Sequence, residues 1–512
     1  MQSVDSSYAL AITGAACVCA WYWRARKNAN EFSHLALPPG PKPLPLVGNV
    51  KDMPTSHEWV TYTKWAKQYG DVMHLSVFGQ SIVIISSLEA SKALLDGKSA
   101  ITSDRPRFAM ISDLMGWSWA VQFMEMGPRF RKYRKTVHRL LQAQTVKTYW
   151  PIIQQGSFSL LRALLNDPEH FRDHVKHHSG GLMMTILYGE QEGEIRDKYV
   201  SKADQAVDGL VKAGNVGTFL VDFLPFLKYV PEWMPGAGFQ TKARIWRQQA
   251  REMIEIPFLR TKQLFDQGMT QPSVMSQLLR EQLDSKEGAI DKELIMGAIG
   301  VLFVGKMAMN PRAQKRAQEE ITSVLGPDKL PQFSDRSMLP YFECVMWETL
   351  RWNPGVPLGV PHRSMEDFQY KDYRIPAGAT ILANQWAILH DEQNYEKPFE
   401  FIPERFFDAA KDGKTVLDPR EASFGFGRRV CPGKHFADDL LWMLMIHIIT
   451  SFDITQATDA EGKPIPIAGT YAAGLVTRPE PYICTITPRS DALVQLIQAG
   501  SSDHAVIADR HS

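Results

Sequence analysis

The strongest sign of chemistry in this sequence is the segment around Cys431. It reads Phe424-Gly425-Phe426-Gly427-Arg428-Arg429-Val430-Cys431-Pro432-Gly433. Gly427 and Gly433 permit a tight backbone approach, and Pro432 suits the first turn of a following helix. Backbone amides at a helix N-terminus favour negative charge, so we expect them to stabilise the Cys431 thiolate and to hydrogen-bond its sulfur. One cysteine is too few for zinc or an iron–sulfur cluster, but one thiolate suffices for haem iron.

Cys431 also has a simpler interpretation as a small buried hydrophobe, which is the usual fate of a free cysteine. The phenylalanine, glycines and arginine at fixed offsets from it favour the haem interpretation instead. Arg429, two residues before the sulfur, is expected to meet an anionic group beside the metal.

With these residues in place, the chain resembles the cytochrome P450 family of haem-thiolate monooxygenases from about Leu37 to Arg489. Glu348-Thr349-Leu350-Arg351 matches the family's Glu-x-x-Arg signature, and Pro403-Glu404-Arg405-Phe406 matches its next element. Each tetrapeptide alone is weak, because Glu and Arg three apart on a helix are usually a surface ion pair. Together, in this order and before the Cys431 loop, the two tetrapeptides are a strong signal for the family. The resemblance implies a structural network of Glu348, Arg351 and Arg405 that locks the core helix to the segment before the loop.

The resemblance also implies the cofactor and its contacts. The cofactor is haem b (heme b), with iron ligated axially by Cys431, and Phe424 and Gly433 belong to the loop that binds it. Arg134, His362 and Arg429 are expected to neutralise the haem propionates. The family usually places Trp-x-x-x-Arg before Arg134, but here Phe130 replaces the tryptophan and lacks its N–H donor.

The chain departs from the family in its central helix. The family carries an acid–alcohol pair there, which forms a proton relay to iron-bound oxygen. Here the stretch from Leu294 to Met309 holds no Asp, Glu, Ser or Thr. About a dozen residues, or roughly three helical turns, are missing between Gly305 and Lys306 when the chain is set against the family pattern. The sequence therefore offers no catalytic acid–alcohol pair.

Three explanations of this departure stay open. The sequence omits an exon of a functional gene, or the protein uses peroxide-like substrates or a water chain, or it binds haem without turnover. The thiolate favours O–O cleavage but supplies no protons, so the first explanation preserves the usual chemistry with the fewest assumptions.

The expected fold is mainly α with a smaller β region, in a single large haem domain behind an N-terminal membrane anchor. Length alone would suggest several domains for 512 residues, but the family folds as one unit. We place an anchor with a basic flank at 1–27, a proline-rich linker at 28–46, the haem-thiolate domain at 47–489 and a disordered tail at 490–512. Residues 72–85 are expected to form a hairpin around Gly79, and 433–449 a buried helix.

The proposed anchor is the apolar run from Tyr8 to Trp23, which ends in aromatic residues and is followed by Arg24, Arg26 and Lys27. Aromatic residues suit the membrane interface, and basic residues favour the cytosolic side. The basic residues follow the apolar run, whereas a cleaved signal peptide carries them before it. We therefore expect a single-pass anchor with a cytosolic catalytic domain, and the resemblance to microsomal members of the family implies the endoplasmic reticulum membrane.

The expected activity is hydroxylation of a small lipophilic substrate with O2, in secondary metabolism or xenobiotic oxidation. Electrons would come from an NADPH-cytochrome reductase docked on the basic segment 129–139, with cytochrome b5 as a further candidate donor. The net charge of +1 gives no reason to expect nucleic acid as a partner. The rival functions are a haem-thiolate isomerase or peroxygenase, and a haem-binding protein without turnover.

Overall fold

The structure, a computed structural model, describes residue 32 and residues 34–190, 193–281 and 306–500. The predicted anchor at 1–27, the shortened stretch up to Gly305 and the last part of the tail lie outside these residues. Among the described residues, none of the helices combines the length and the apolar composition that a membrane span requires.

The described chain is mainly helical. Its α-helices are α1 (Glu58–Tyr69), α2 (Leu88–Ser91), α3 (Ser99–Thr102), α4 (Pro128–Leu141), α5 (Ala143–Val146), α6 (Trp150–Asn166), α7 (Phe171–Tyr188), α8 (Glu194–Ala213), α9 (Leu220–Phe223), α10 (Gly238–Asp266), α11 (Val274–Glu281), α12 (Pro311–Leu325), α13 (Pro340–Trp352), α14 (Gln385–Leu389), α15 (Glu404–Lys411), α16 (Arg420–Ser423), α17 (Lys434–Ser451) and α18 (Asp491–Ala499). Shorter π and 3-10 turns connect several of them, including a π turn over Lys92–Gly97 and another over Ala109–Leu114.

The strands form a smaller region. They are β1 (Val72–Val77), β2 (Gln80–Ile85), β3 (His362–Arg363), β4 (Phe368–Tyr370), β5 (Tyr373–Ile375), β6 (Thr380–Ala383), β7 (Phe452–Gln456) and β8 (Cys484–Pro488). One sheet has the order β1-β2-β6-β3, and β4-β5 and β7-β8 form two-stranded sheets. The prediction of a mainly α fold with a smaller β region is confirmed.

The hairpin predicted around Gly79 joins β1 to β2, with Val77 opposite Gln80. Phe78 and Gly79 both have positive φ, as a two-residue hairpin turn of this type requires. Strand β6 is buried along its whole length and pairs with β2 on one side and β3 on the other. This pairing places His362 opposite Ile381 and fixes its position in the sheet.

Helix α17 lies in the centre of the largest core cluster and packs against α6, α12 and α13. Apolar residues surround its axis on every side from Leu440 onward, which is typical of a helix buried all round. The prediction of a buried helix after the Cys431 loop is confirmed. The helix begins at Lys434, so Pro432 precedes its first turn instead of lying in it.

The two ends of the described chain differ from the sequence-based expectation. Residues 491–499 form α18, whose Ser490 side chain accepts a hydrogen bond from the Leu493 amide, so disorder from residue 490 onward is wrong for this part. The predicted linker packs on the β region from Ala36. The Arg374 amide donates to the Ala36 carbonyl, and the His74 amide donates to that of Pro39. Its extended, proline-rich backbone leaves carbonyls free to accept bonds from strand amides.

Candidate cofactor site

The Cys431 loop connects α16 to α17 and is held in shape by its own backbone. The Cys431 amide donates to the Phe424 carbonyl at 2.8 Å. The Gly427 amide donates to Oδ1 of Asp96 at 2.5 Å, which ties the loop to the π turn over Lys92–Gly97. Gly427 has a φ of 58°, and a Cβ atom there would lie 2.1 Å from the Leu95 carbonyl oxygen. The close approach predicted from the glycine is therefore present.

Cys431 lies on the wall of a cavity of about 210 Å³. The described residues include two other cysteines, Cys344 and Cys484, and neither of them lines this cavity. The wall opposite the loop is largely apolar, with contributions from Phe123, Leu210 and Leu475, among others. The loop residues Phe424 and Gly433 also line the cavity, so the structure brings all three predicted loop residues to one chamber.

Within the part of the chain that the structure describes, four basic side chains line this chamber: Arg105, Arg134, His362 and Arg429. Arg105 was not predicted from the sequence. Arg105 is buried, and its Nη1 donates to the Val360 and Pro361 carbonyls while its Nε donates to the Gln122 carbonyl. Its Nη2 has no hydrogen-bond partner among the described residues. Burial, and then the nearby charge of Arg429, hold the pKa of Arg105 well below its usual value. The one available signal was its place in Ser103-Asp104-Arg105-Pro106.

Arg429 is held by backbone carbonyls and by an aromatic ring. Its Nε and two Nη groups donate to the Ser103, Val121 and Met124 carbonyls at 2.7, 3.2 and 2.7 Å. Its guanidinium carbon lies 3.7 Å from the centroid of the Phe130 ring. Phe130, which cannot replace the hydrogen bond of a tryptophan, therefore supports the neighbouring arginine by a cation–π contact.

Arg134 and His362 complete the group. Arg134 Nη2 donates to the Val430 carbonyl at 2.5 Å, directly beside Cys431. Nδ1 of His362 lies 2.9 Å from the Thr102 carbonyl oxygen. Burial, and then the charge of Arg105, lower the pKa of His362 well below its usual value. The structure thus brings the three predicted basic residues together and adds Arg105 to them.

Glu348, Arg351 and Arg405 also come together, away from the chamber wall. Arg351 donates through Nε and Nη2 to both carboxylate oxygens of Glu348 at 2.8 and 2.9 Å, and Arg405 Nε lies 3.2 Å from Oε2. Nη1 of Arg351 reaches the Leu389 and Pro398 carbonyls, so α13 is joined to the chain that precedes the loop. Glu348 and Arg351 are fully buried, and their charges are paired as burial demands.

The central-helix prediction can be followed only at Lys306, because Gly305 and the residues before it lie outside the described chain. Lys306 does not line the Cys431 chamber. It is buried, and its Nζ lies 3.6 Å from the centroid of the Trp352 ring. Burial, and then the charge of Arg351, lower the pKa of Lys306 to about 7.

The donor set of the chamber fits haem. No cluster of three His, Cys, Asp or Glu side chains that could hold a bare ion occurs within the described ranges. A metal held by Cys431 must therefore bring most of its ligands with it, as a porphyrin iron does. Basic groups beside an apolar chamber match a flat apolar molecule with carboxylates. In addition, Oε1 of Gln385, a buried residue on the chamber wall, has no hydrogen-bond partner among the described residues.

Comparison with known proteins agrees with this geometry. The sequence model of the family described as Cytochrome P450 matches residues 38–486. The chain is 37% identical to Cytochrome P450 monooxygenase 98 of Postia placenta, with 95% of this chain and 96% of that protein covered. It is 36% identical to Cytochrome P450 monooxygenase claR of Ampulloclitocybe clavipes (92% and 89% covered). It is 33% identical to Tryptamine 4-monooxygenase of Psilocybe cyanescens (92% and 96%). The chain belongs to the cytochrome P450 family and is a haem-thiolate monooxygenase by descent, with a cysteine-ligated haem iron as its cofactor.

Proposed function

We propose that Cys431 is the axial ligand of the haem iron. The observation that carries this assignment is its position, since it lies on the wall of the large chamber and the other two described cysteines do not. Its loop is closed by the Phe424 carbonyl and by Asp96, so the sulfur is presented by a backbone that is already folded.

Arg105, Arg134, His362 and Arg429 would hold the two haem propionates. Nη2 of Arg105, and Nε and Nη1 of Arg134, have no hydrogen-bond partner among the described residues and remain available to carboxylate oxygens. Each of the three nitrogens of Arg429 already donates one hydrogen bond to a carbonyl, so its contribution is positive charge and packing more than direct hydrogen bonds. Guanidinium groups suit this role because they stay charged when buried.

The bound haem supplies the activation of O2, and the thiolate that ligates it favours O–O cleavage. The chain supplies the chamber in which the substrate is held. Phe123, Leu210, Val356, Val360 and Leu475 give it apolar walls, so a small lipophilic substrate fits best and water is largely excluded. We infer a role in secondary metabolism or xenobiotic oxidation, which is consistent with a fungal relative named for oxidation of tryptamine.

The electron donor would dock on a basic surface formed by the exposed residues of helix α4 and the Cys431 loop. Its members are Arg129, Arg131, Lys132, Lys135, Arg139, Arg428 and Lys434. The first turn of α4 carries no acidic residue, although helix N-termini favour negative charge. Helix stability therefore does not account for this charge, whereas steering of an acidic reductase does. Arg134 joins α4 to Val430, so the surface lies next to the thiolate loop.

Membrane association would involve the segment around α9 and the start of α10. Exposed large apolar side chains are concentrated there, among them Phe226, Tyr229 and Trp233, which is 81% exposed. A soluble surface rarely exposes such a group of aromatic side chains together. This contact would act together with the proposed anchor at 1–27.

The decisive experiment is the reduced carbon monoxide spectrum of the haem-loaded protein. The wild type should show the thiolate-type Soret shift, and Cys431→Ala should lose it because no other cysteine or methionine among the described residues lines the chamber. Cys484→Ala is the matched control, since that cysteine lies in β8 outside the chamber, and it should keep the signal. A Cys431→Ala protein that retains the shift would overturn the assignment.

Turnover assays then separate the functions. Product formed with NADPH, reductase and O2 identifies a monooxygenase, whereas product formed only with hydroperoxide identifies a peroxygenase. No product with either oxidant identifies a haem binder without turnover. Sequencing the transcript across the codons for Gly305 and Lys306 tests whether an acid–alcohol segment belongs there.

A further inference from the structure

His362 has one ring nitrogen committed to the protein, and its side chain lines the cofactor chamber. The residue is 5% exposed and is fixed in β3 by its pairing with β6. Nδ1 lies 2.9 Å from the Thr102 carbonyl oxygen, which can only accept, so Nδ1 must carry a hydrogen. In a neutral ring Nε2 then has a bare lone pair. Nε2 has no hydrogen-bond partner among the described residues, and the ring lines the chamber.

The charges around this ring favour its neutral form when no anion is present. Burial contributes most, followed by Arg105, while the hydrogen bond to Thr102 opposes them and Arg429 adds to them. Two further arginines lie nearby, Arg134 on α4 and Arg363 in β3 itself. The one acidic side chain of this group is Asp104, whose oxygens already accept from Arg363 and from the Met126 amide.

A haem carboxylate at this position cannot pair with a neutral His362. The carboxylate only accepts hydrogen bonds, and Nε2 of the neutral ring also only accepts. Moving the hydrogen from Nδ1 to Nε2 would remove the repulsion between Nε2 and the carboxylate. It would, however, place the lone pair of Nδ1 against the Thr102 oxygen at 2.9 Å, which is also repulsive. Adding a proton to Nε2 satisfies both neighbours.

We propose that His362 takes up one proton from solvent as haem binds, so that cofactor loading is coupled to protonation of this ring. The proton adds to Nε2, which then donates to a carboxylate oxygen of the haem while Nδ1 keeps its bond to Thr102. The negative charge of the carboxylate offsets the repulsion from Arg105 and Arg429 and stabilises the imidazolium. This inference rests on the proposed position of the propionates among the four basic side chains.

The test counts protons during haem titration of weakly buffered haem-free protein. Loss of the Cys431 proton on ligation releases up to one proton, and this release is common to wild type and variant. Wild type should take up as much as one proton more per haem than His362→Gln, which keeps a donor but does not titrate. The difference should be largest between about pH 5 and 7, around the ordinary range of histidine. In that window, the haem affinity of the wild type should also fall as the pH rises, by up to tenfold per pH unit relative to the variant.

Equal proton counts for the two proteins would overturn the proposal. If His362→Gln fails to fold or to bind haem, calorimetry of the wild type alone in buffers of different ionisation enthalpy remains decisive. Coupled uptake of one proton predicts a net change between zero and an uptake of one proton per haem, whereas release of a full proton throughout the window contradicts it. A protein that binds haem without the thiolate-type Soret shift would instead overturn the proposed function, so the two failures are distinguishable.

Discussion

At the scale of single residues, Gly425 and Gly427 show how the Cys431 loop depends on its local backbone. Both have positive φ, 76° and 58°, so a side chain at either position is strained. Their surroundings differ. A Cβ atom at Gly425 would have its nearest neighbour, the Gln385 amide nitrogen, at 3.9 Å, whereas one at Gly427 would lie 2.1 Å from the Leu95 carbonyl oxygen. Of these two positions, only Gly427 must be glycine because the backbone of Leu95 packs directly against it.

This difference makes a paired prediction. Gly425→Ala should cost about 1–2 kcal/mol from backbone strain alone. Gly427→Ala should cost distinctly more, because the loop must also move away from Leu95 and loses the bond to Asp96. The measurements are the thermal midpoint of each variant and its haem content after reconstitution. Equal losses in the two variants would show that the clash with Leu95 is relieved without cost.

At the scale of elements, a buried carboxyl group joins helix α9 to the π turn over Ala109–Leu114. Asp222 in α9 is 7% exposed and accepts a hydrogen bond from the Met110 amide in the π turn over Ala109–Leu114. Burial raises the pKa of Asp222 from 3.8 to about 7, against the opposing effect of the Met110 bond. The fold therefore favours the protonated form of this side chain.

The sign of the pH dependence follows from this direction. Because the pKa is higher in the folded protein, the stability that Asp222 contributes is complete below about pH 4 and is lost as the pH rises through 7. The full change is about 4 kcal/mol at most. Asp222→Asn keeps an acceptor for the Met110 amide without titrating. The thermal midpoint of the variant minus that of the wild type should therefore increase as the pH rises from about 4 to 7. Parallel profiles for the two proteins would contradict the prediction.

At the scale of the whole molecule, the two proposed contact regions use different segments of the chain. The basic surface lies beside the Cys431 loop, and the exposed aromatic side chains lie around α9 and the start of α10. A donor that docks beside the thiolate has the shortest route to the iron. The proposed electron donor and the proposed membrane contact therefore use different residues.

Reversal of charge tests the docking half of this arrangement. The double variant Arg131→Glu and Lys135→Glu should raise the KM for reductase about tenfold at low ionic strength, with little change in kcat. The effect should shrink as salt is added, because exposed charges are screened. Lys64→Glu, an exposed change on α1 outside the basic surface, is the control and should leave the KM unchanged. A salt-independent effect, or the same effect from the control, would point away from electrostatic docking.

The sequence by itself determined the loop, the family and much of the local structure. Glycine, proline and cysteine at fixed offsets have few structural solutions, which made the Cys431 loop predictable. The hairpin at Gly79 and the buried helix α17 were predictable from the apolar and β-branched residues in short windows. The family resemblance already grouped Arg134, His362 and Arg429, whereas only the tertiary structure showed that Arg105 joins them in the chamber wall. Arg105 is brought beside His362 by the path of the chain around β3 and β6, and Phe130 supports Arg429 through a contact between residues some 300 positions apart. The reason is physical: periodicity and turn chemistry act over neighbouring residues, whereas burial of charge depends on packing between segments that no local pattern encodes.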